Sequence, residues 1–235
     1  MVITTSLTKK KVADHFYYNS WKYILLIVLS IMGWNIIYTQ TAYRVPADKR
    51  IDVYVKTGTT TAEVIDAFLE PIWKDTVPDM EIVSSTILLA SNDYSSSMQL
   101  TTWIMAGEGD IYILPSSDYK TYASSGVFLD LQPYIDDGSI QVSDLNLDAA
   151  KIQVGIGMDD NGNTVYDEEL RPFGIPMDNL YGYMEGMSLD NRGMVMAITV
   201  ANGNTDNVVP FLNALIEAGR GDKPAWLLET EIESE

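Results

Sequence analysis

The sequence has no cysteine, and its one histidine, His15, stands near the N-terminus. The first absence excludes disulfides, thiolate zinc sites, iron–sulfur clusters and a thiol nucleophile. It also excludes the acylated cysteine that anchors many exported bacterial proteins. The second removes histidine-based triads and histidine-rich metal sites from the rest of the chain. Basic residues are scarce too: 15 Lys and Arg stand against 33 Asp and Glu, a net charge of −18. Binding to nucleic-acid phosphates needs clustered Lys and Arg, so nucleic acid is not an expected partner. Neither a Gly-rich phosphate loop nor a Gly-x-Ser-x-Gly elbow occurs.

The charge is unevenly placed. Residues 1–44 carry five basic residues (Lys9, Lys10, Lys11, Lys22, Arg44) and one acidic residue, Asp14, a net of +4. The remaining 32 acidic and 10 basic residues give the rest of the chain −22. At this boundary lies YILLIVLSIMGWNIIY, Tyr23 to Tyr38, which holds no charge. Extended to Ala42, it reaches about the 20 residues needed to cross a bilayer core. Trp21, Tyr23, Trp34, Tyr38 and Tyr43 suit aromatic belts, and the lysines before the run favour a cytoplasmic N-terminus. A cleaved signal peptide is the rival reading, but Thr39-Gln40-Thr41 is a poor cleavage site. The expected plan is a cytoplasmic tail (1–22), a single-pass transmembrane signal anchor in the cell membrane (23–42) and a linker (43–50). An extracellular α/β domain (51–219) and an acidic tail (220–235) follow.

Within the domain, Ile51 to Val55 alternates as a strand, and Lys56-Thr57-Gly58-Thr59 reads as a turn. Thr60 and Glu63 have capping-box spacing before a helix that Pro71 should end or kink. Glu81 to Leu89 is a second strand. Ser91-Asn92-Asp93 caps a helix that Gly107 stops. Asp110 to Leu114 is a third strand, followed by a helix opened by Ser116 and Ser117. This order predicts βαβ units and a mostly parallel sheet, with ligands outside the strands' carboxyl ends. Further on, Ile152–Met158 and Asn163–Asp167 flank Asp160-Asn161-Gly162, a hairpin signal. Pro172–Ile175 and Met194–Val200 are strands, and Asn207–Ala218 is an amphipathic helix capped by Gly219.

The run AGEGDIYILPSSDYKTYASSGVFLDLQPYID, Ala106 to Asp136, resembles the extracellular solute-binding proteins of ABC importers. That family shows a helix ending in Ala-Gly, then Gly-Asp, a short apolar strand, and a helix with a Tyr-x-x-Tyr-Ala-x-x-Gly phrase. An apolar phrase of the type Leu-x-Asp-Leu-x-Pro-Tyr follows. PFGIPMD, Pro172 to Asp178, is similar to its Tyr-Gly-Ile-Pro strand, and MVMAITVANGNTDNVVPFLNALI to a later strand and helix. The resemblance covers Arg50 to Ala218 and implies a lobe like lobe 1 of a periplasmic-binding-protein-like type II fold. Such proteins normally place a second lobe of well over a hundred residues after PFGIPMD. Here about 16 residues, Asn179 to Met194, lead from that phrase into the returning strand, so a one-lobed variant is expected. The resemblance also implies an ABC permease, or other membrane subunits, as partner.

The candidate ligand-binding residues are Thr57, Thr59, Asn92, Asp93, Tyr94, Ser116, Ser117, Tyr119, Asp178 and Tyr181. The aromatic rings suit stacking on a sugar or oligosaccharide, and the polar groups suit its hydroxyls. The competing reading makes the serines and Asn92–Asp93 helix caps only. A calcium loop through Asp159, Asn161 and Glu168 fails at its first position, where Gly157 stands. The acidic pairs Asp136/Asp137 and Glu168/Glu169 are weak glycosidase candidates, because adjacent residues project differently. No cofactor, metal or enzymatic activity is expected. The alternative to solute binding is an extracytoplasmic interaction or assembly domain, marked by an exposed apolar patch around Tyr181 to Met187.

Overall fold

In the computed structural model, residues 8–89, 94–153, 155–158, 164–167, 169–200 and 203–224 are described. The chain divides into two compact units, Met1–Arg44 and Val45–Glu235. Among its described residues the first holds one helix, α1 (Lys9–Thr41), of 33 residues. It begins well before the apolar run because no Pro or Gly interrupts Lys9 to Lys22. Its stretch Val12–Thr41 is long and apolar enough to cross a membrane. Ile24, Leu26, Val28, Ile31 and Ile37 are all exposed, although they point in different directions around the helix. A helix apolar all round has to find its apolar surroundings elsewhere.

The second unit is built on β1 (Arg50–Thr57), α2 (Ala62–Thr76), β2 (Ile82–Leu89), α3 (Tyr94–Met105), β3 (Ile111–Pro115) and α4 (Ser116–Ala123). A short helix α5 (Gln132–Asp136) leads to β4 (Lys151–Ile152), β5 (Gly155–Met158), β6 (Thr164–Tyr166) and β7 (Arg171–Pro172). The chain then forms β8 (Ile175–Pro176), α6 (Gly182–Met187), β9 (Met194–Ile198) and α7 (Thr205–Gly219). The main sheet has the order β2-β1-β3-β9-β8. β1 pairs in parallel with both β2 and β3, whereas β9 is antiparallel to β3 and to β8. Four strands therefore run one way and β9 alone opposes them. The reason is local: the chain leaves β8 and re-enters the sheet at the same edge, so it must run back.

Alternation assigns the two faces. Ile51, Val53, Val55, Ile111, Ile113, Met196 and Ile198 belong to one buried cluster with Ile65 and Leu69 of α2 and Phe211, Leu212 and Leu215 of α7. Tyr54, Tyr112, Leu114, Val195 and Ala197 face the other way, into a cluster with Leu100 and Ile104 of α3 and Tyr119 and Ala123 of α4. Helices thus cover both faces, as the parallel strands of this mixed sheet require. Gly109 sits beneath the second cluster at φ +79°, and a Cβ there would lie 2.5 Å from Tyr54 Cδ2. The position demands glycine both for its conformation and for its space.

Several expectations are corrected. α2 continues through Pro71 to Thr76. Ile72 and Trp73 beyond the proline pack on the same cluster as Leu69 before it, and that burial offsets the missing backbone bond. Lys56 and Thr57 lie in β1, not in a turn. Gly219 is the last residue of α7, and the cap is Arg220. Leu180, Tyr183 and Met187 are buried against α2 and α7, so the segment Tyr181 to Met187 is not an exposed apolar patch. β5 and β6 pair as the expected hairpin, but its Asp160-Asn161-Gly162 turn lies outside the described residues. So do Asp159 and Glu168, and all of the acidic tail beyond residue 224.

Candidate functional site

The carboxyl ends of β1, β3 and β8 and the start of β9 meet at one edge of the sheet. Pairing of Pro115 with Met194 and of Pro176 with Val195 sets this alignment. At the end of β1, Thr57 Oγ1 accepts the Thr59 N–H at 3.2 Å and lies 3.1 Å from Thr59 Oγ1. Thr59 Oγ1 in turn accepts the Asp190 N–H at 3.3 Å. The Ser116 N–H donates to the Gly193 carbonyl at 2.8 Å. Asp178 Oδ1 accepts the Gly193 N–H at 2.7 Å. Thr57, Thr59, Ser116 and Asp178, which are far apart in sequence, are thereby tied into one polar rim through the connection 188–193. Thr59, Ser117 and Asp178 are exposed and Ser116 is half-buried there; Tyr181, at the start of α6, is also half-buried. The Tyr181 hydroxyl lies 3.4 Å from Asn179 Oδ1.

Tyr119 does not belong to the rim. It is wholly buried, its ring is stacked on Phe128, and its hydroxyl donates to the Ala150 carbonyl at 2.7 Å. Burial pushes that hydroxyl's pKa up, and the ring has no face left for a solute. The cause is helical spacing: Tyr119 and Ala123 form the buried face of α4. Asn92 and Asp93 lie outside the described residues, as does the side chain of Tyr94. Trp103 is half-buried and meets Tyr54 edge-on at 4.9 Å between ring centroids.

The rim also contains groups that the sequence reading passed over. Lys56 is 5% exposed, and its Nζ lies 2.8 Å from Asp118 Oδ2, bracing the end of β1 against the start of α4. Asp190 and Arg192 form a two-bond pair at 2.7 and 2.8 Å. The Arg192 hydrogen bond holds the Asp190 carboxyl below its usual range. Between them Asn191 is fully buried. Its Nδ2 donates to the carbonyls of Met177 and Leu180, while its Oδ1 has no hydrogen-bond partner among the described residues. Ser188, at the start of the same connection, adopts φ +52°. Among the described residues, Ser188 is the non-glycine residue at positive φ, a conformation that clusters at functional sites. The connection's mixture of Ser, Asp, Asn and Arg was the available signal.

Two small cavities open on this edge. One of about 200 Å³ is lined by Thr59, Met184, Ser188, Leu189, Asp190 and Arg192. The other, of about 190 Å³, includes Pro176, Asp178 and Asn179. Both fall below the roughly 300–1,000 Å³ of sites that bury a small ligand. Among the described residues, no cluster of three or more acidic or histidine side chains is placed to hold a metal ion.

No family model matches the chain, and no curated protein matches it. Similar solved structures exist. An extracellular solute-binding protein family 1 member from Alicyclobacillus acidocaldarius is 16% identical over 45% of this chain and 27% of its own, with a TM-score of 0.35. An ABC substrate-binding protein from Listeria monocytogenes, in complex with cycloalternan, is 25% identical over 53% of this chain and 28% of its own, with a TM-score of 0.36. A probable secreted solute-binding lipoprotein from Streptomyces coelicolor is 17% identical over 55% and 29%, with a TM-score of 0.30. The chain spans under a third of the length of each of these proteins. Over about half of its own length, the chain is similar to these solute-binding proteins.

Proposed function

We propose that this chain is a membrane-anchored, solute-binding-like module that works outside the membrane with an ABC importer, and that the carboxyl edge of its sheet is the working surface. One observation carries the reading: hydrogen bonds through 188–193 gather Thr57, Thr59, Ser116 and Asp178 into a single polar rim. Open α/β sheets take their ligands at this edge. The exposed hydroxyls of Thr59 and Ser117 and the carboxylate of Asp178 suit a neutral polyol, so a sugar or oligosaccharide is the first solute class to test. The net charge of the body disfavours an anion. α1 supplies the anchor, with the lysines on its cytoplasmic side.

Calorimetric titration of the full chain in detergent with maltose, maltotriose and maltoheptaose tests the reading. Heat of binding that is lost in Asp178→Ala supports it, whereas no heat from any sugar removes the carbohydrate reading. The size of the two edge cavities favours a second reading, in which a protein partner supplies the other wall. Photo-crosslinking from Ser117 in native membranes separates the two. Capture of a permease or other membrane subunit without bound sugar supports an assembly role.

A further inference from the structure

Within the apolar run of α1, the polar side chains are not equivalent. Ser30 Oγ donates to the Leu26 carbonyl at 2.8 Å, Thr39 Oγ1 to Asn35 at 2.7 Å, and Thr41 Oγ1 to Ile37 at 2.7 Å. Each hydroxyl is therefore satisfied by its own helix. Gln40 lies within a turn of the end of the span, where headgroup water reaches it. The side-chain amide of Asn35 is exposed and has no hydrogen-bond partner among the described residues. At a rise of about 1.5 Å per residue, it sits about 4 Å from the middle of a span running from Tyr23 to Ala42. An amide at that depth has no water to bond, and a neighbouring helix is its remaining source of partners.

The residues around Asn35 fit one such neighbour. Ile24, Val28, Ile31, Asn35, Tyr38 and Ala42 recur at spacings of three and four, which makes a continuous heptad seam along one side of α1. The large members are all exposed: Ile24 62%, Val28 49%, Ile31 64% and Tyr38 63%. The spacing puts Asn35 at an a position, between Val28 and Ala42, and a single Asn at an a position specifies register and oligomer state. We infer that α1 pairs in the membrane with α1 of a second copy of this chain, through the Asn35 amides. An amide both donates and accepts, so it complements itself. Copies inserted in the same orientation also carry Asn35 at the same depth, which a different partner matches only by coincidence. The inference rests on the membrane-anchor part of the proposed function.

The absence of cysteine allows a background-free test. Full-length chains carrying Ile31→Cys on the seam, or Leu26→Cys or Ile37→Cys on the opposite side, are expressed in membranes and oxidised. Disulfide-linked dimer is expected from Ile31→Cys and not from the other two. Adding Asn35→Leu to Ile31→Cys should lower the pairing constant by about three- to tenfold, the range for one interhelical hydrogen bond in a bilayer. Equal crosslinking from both sides, or crosslinking unchanged by Asn35→Leu, overturns the inference. So does crosslinking from the seam to another protein alone. Carbonate washing reads the anchor separately: a chain released by the wash overturns the anchor itself, and a chain that stays in the membrane without seam crosslinks overturns only the pairing.

Discussion

The ion pair between Lys56 and Asp118 gives the sharpest stability prediction, because its two ends are unequally buried. Lys56 is 5% exposed and Asp118 is 27% exposed. Asp118→Ala leaves an ammonium in the protein interior without its carboxylate. Breaking a fully buried pair costs about 3–5 kcal/mol. Water reaches part of this pair, so about 2–3 kcal/mol is expected. Lys56→Met keeps the packing of the aliphatic stem and leaves a carboxylate that water can solvate, so it should cost about 1 kcal/mol or less. The double substitution Lys56→Met with Asp118→Leu should lie within about 1 kcal/mol of the parent. For a domain of this size, roughly 2–4 °C of Tm per kcal/mol turns the Asp118→Ala loss into about 4–12 °C. Thermal and denaturant unfolding, followed by tryptophan fluorescence of the full chain in detergent, measures all three. An Asp118→Ala cost below about 0.5 kcal/mol, or a Lys56→Met cost larger than that of Asp118→Ala, would refute the reasoning.

Other consequences follow from the same geometry. Tyr119→Phe should cost about 1 kcal/mol, for the lost bond to the Ala150 carbonyl, and leave solute titrations unchanged. A change in solute affinity would return Tyr119 to the site. Gly109→Ala should cost more than about 2 kcal/mol, since it combines positive φ with a clash against Tyr54, and a soluble variant of parental Tm would contradict the packing. Tyr54 has its pKa pushed up to about 12 by burial, with Glu108 adding to the effect. Its raised folded-state value makes stability complete below pH 10 and reduces it as pH rises toward 12. Tyr54→Phe should flatten that alkaline loss by about 2 kcal/mol, as read from urea midpoints at successive pH values.

Much of the sheet was legible because alternation is a local signal. Ile51, Val53 and Val55 announce β1 by period two, and the short apolar run Ile111 to Leu114 announces β3. Strand direction was less legible. Met194 to Ile198 reads as a buried run whichever way it points, and only the short return from β8 makes β9 antiparallel. Charge misled the reading at Lys56, where a lysine after an apolar run suggests a turn. Its carboxylate partner lies 62 positions later, beyond the reach of any local pattern. Pro71 misled for a related reason, since the packing of Ile72 and Trp73 is tertiary. Tyr119 was a different kind of miss: its pairing with Ala123 at i, i+4 was available and pointed to the core. Thr57, Thr59, Ser116 and Asp178 were legible as strand-end polar residues. Their union through Asp190 and Gly193 was not, because those bonds span up to 131 positions.

The central claim is that the carboxyl edge is the working surface. Amide hydrogen exchange of the full chain in detergent, with and without a saturating bound sugar or captured partner, tests it most directly. Added protection is expected at Thr57–Thr59, Ser116–Ser117 and the connection from Asp178 to Gly193. Protection confined to the outer faces of α3, or of α2 and α7, with none at this edge, would contradict it.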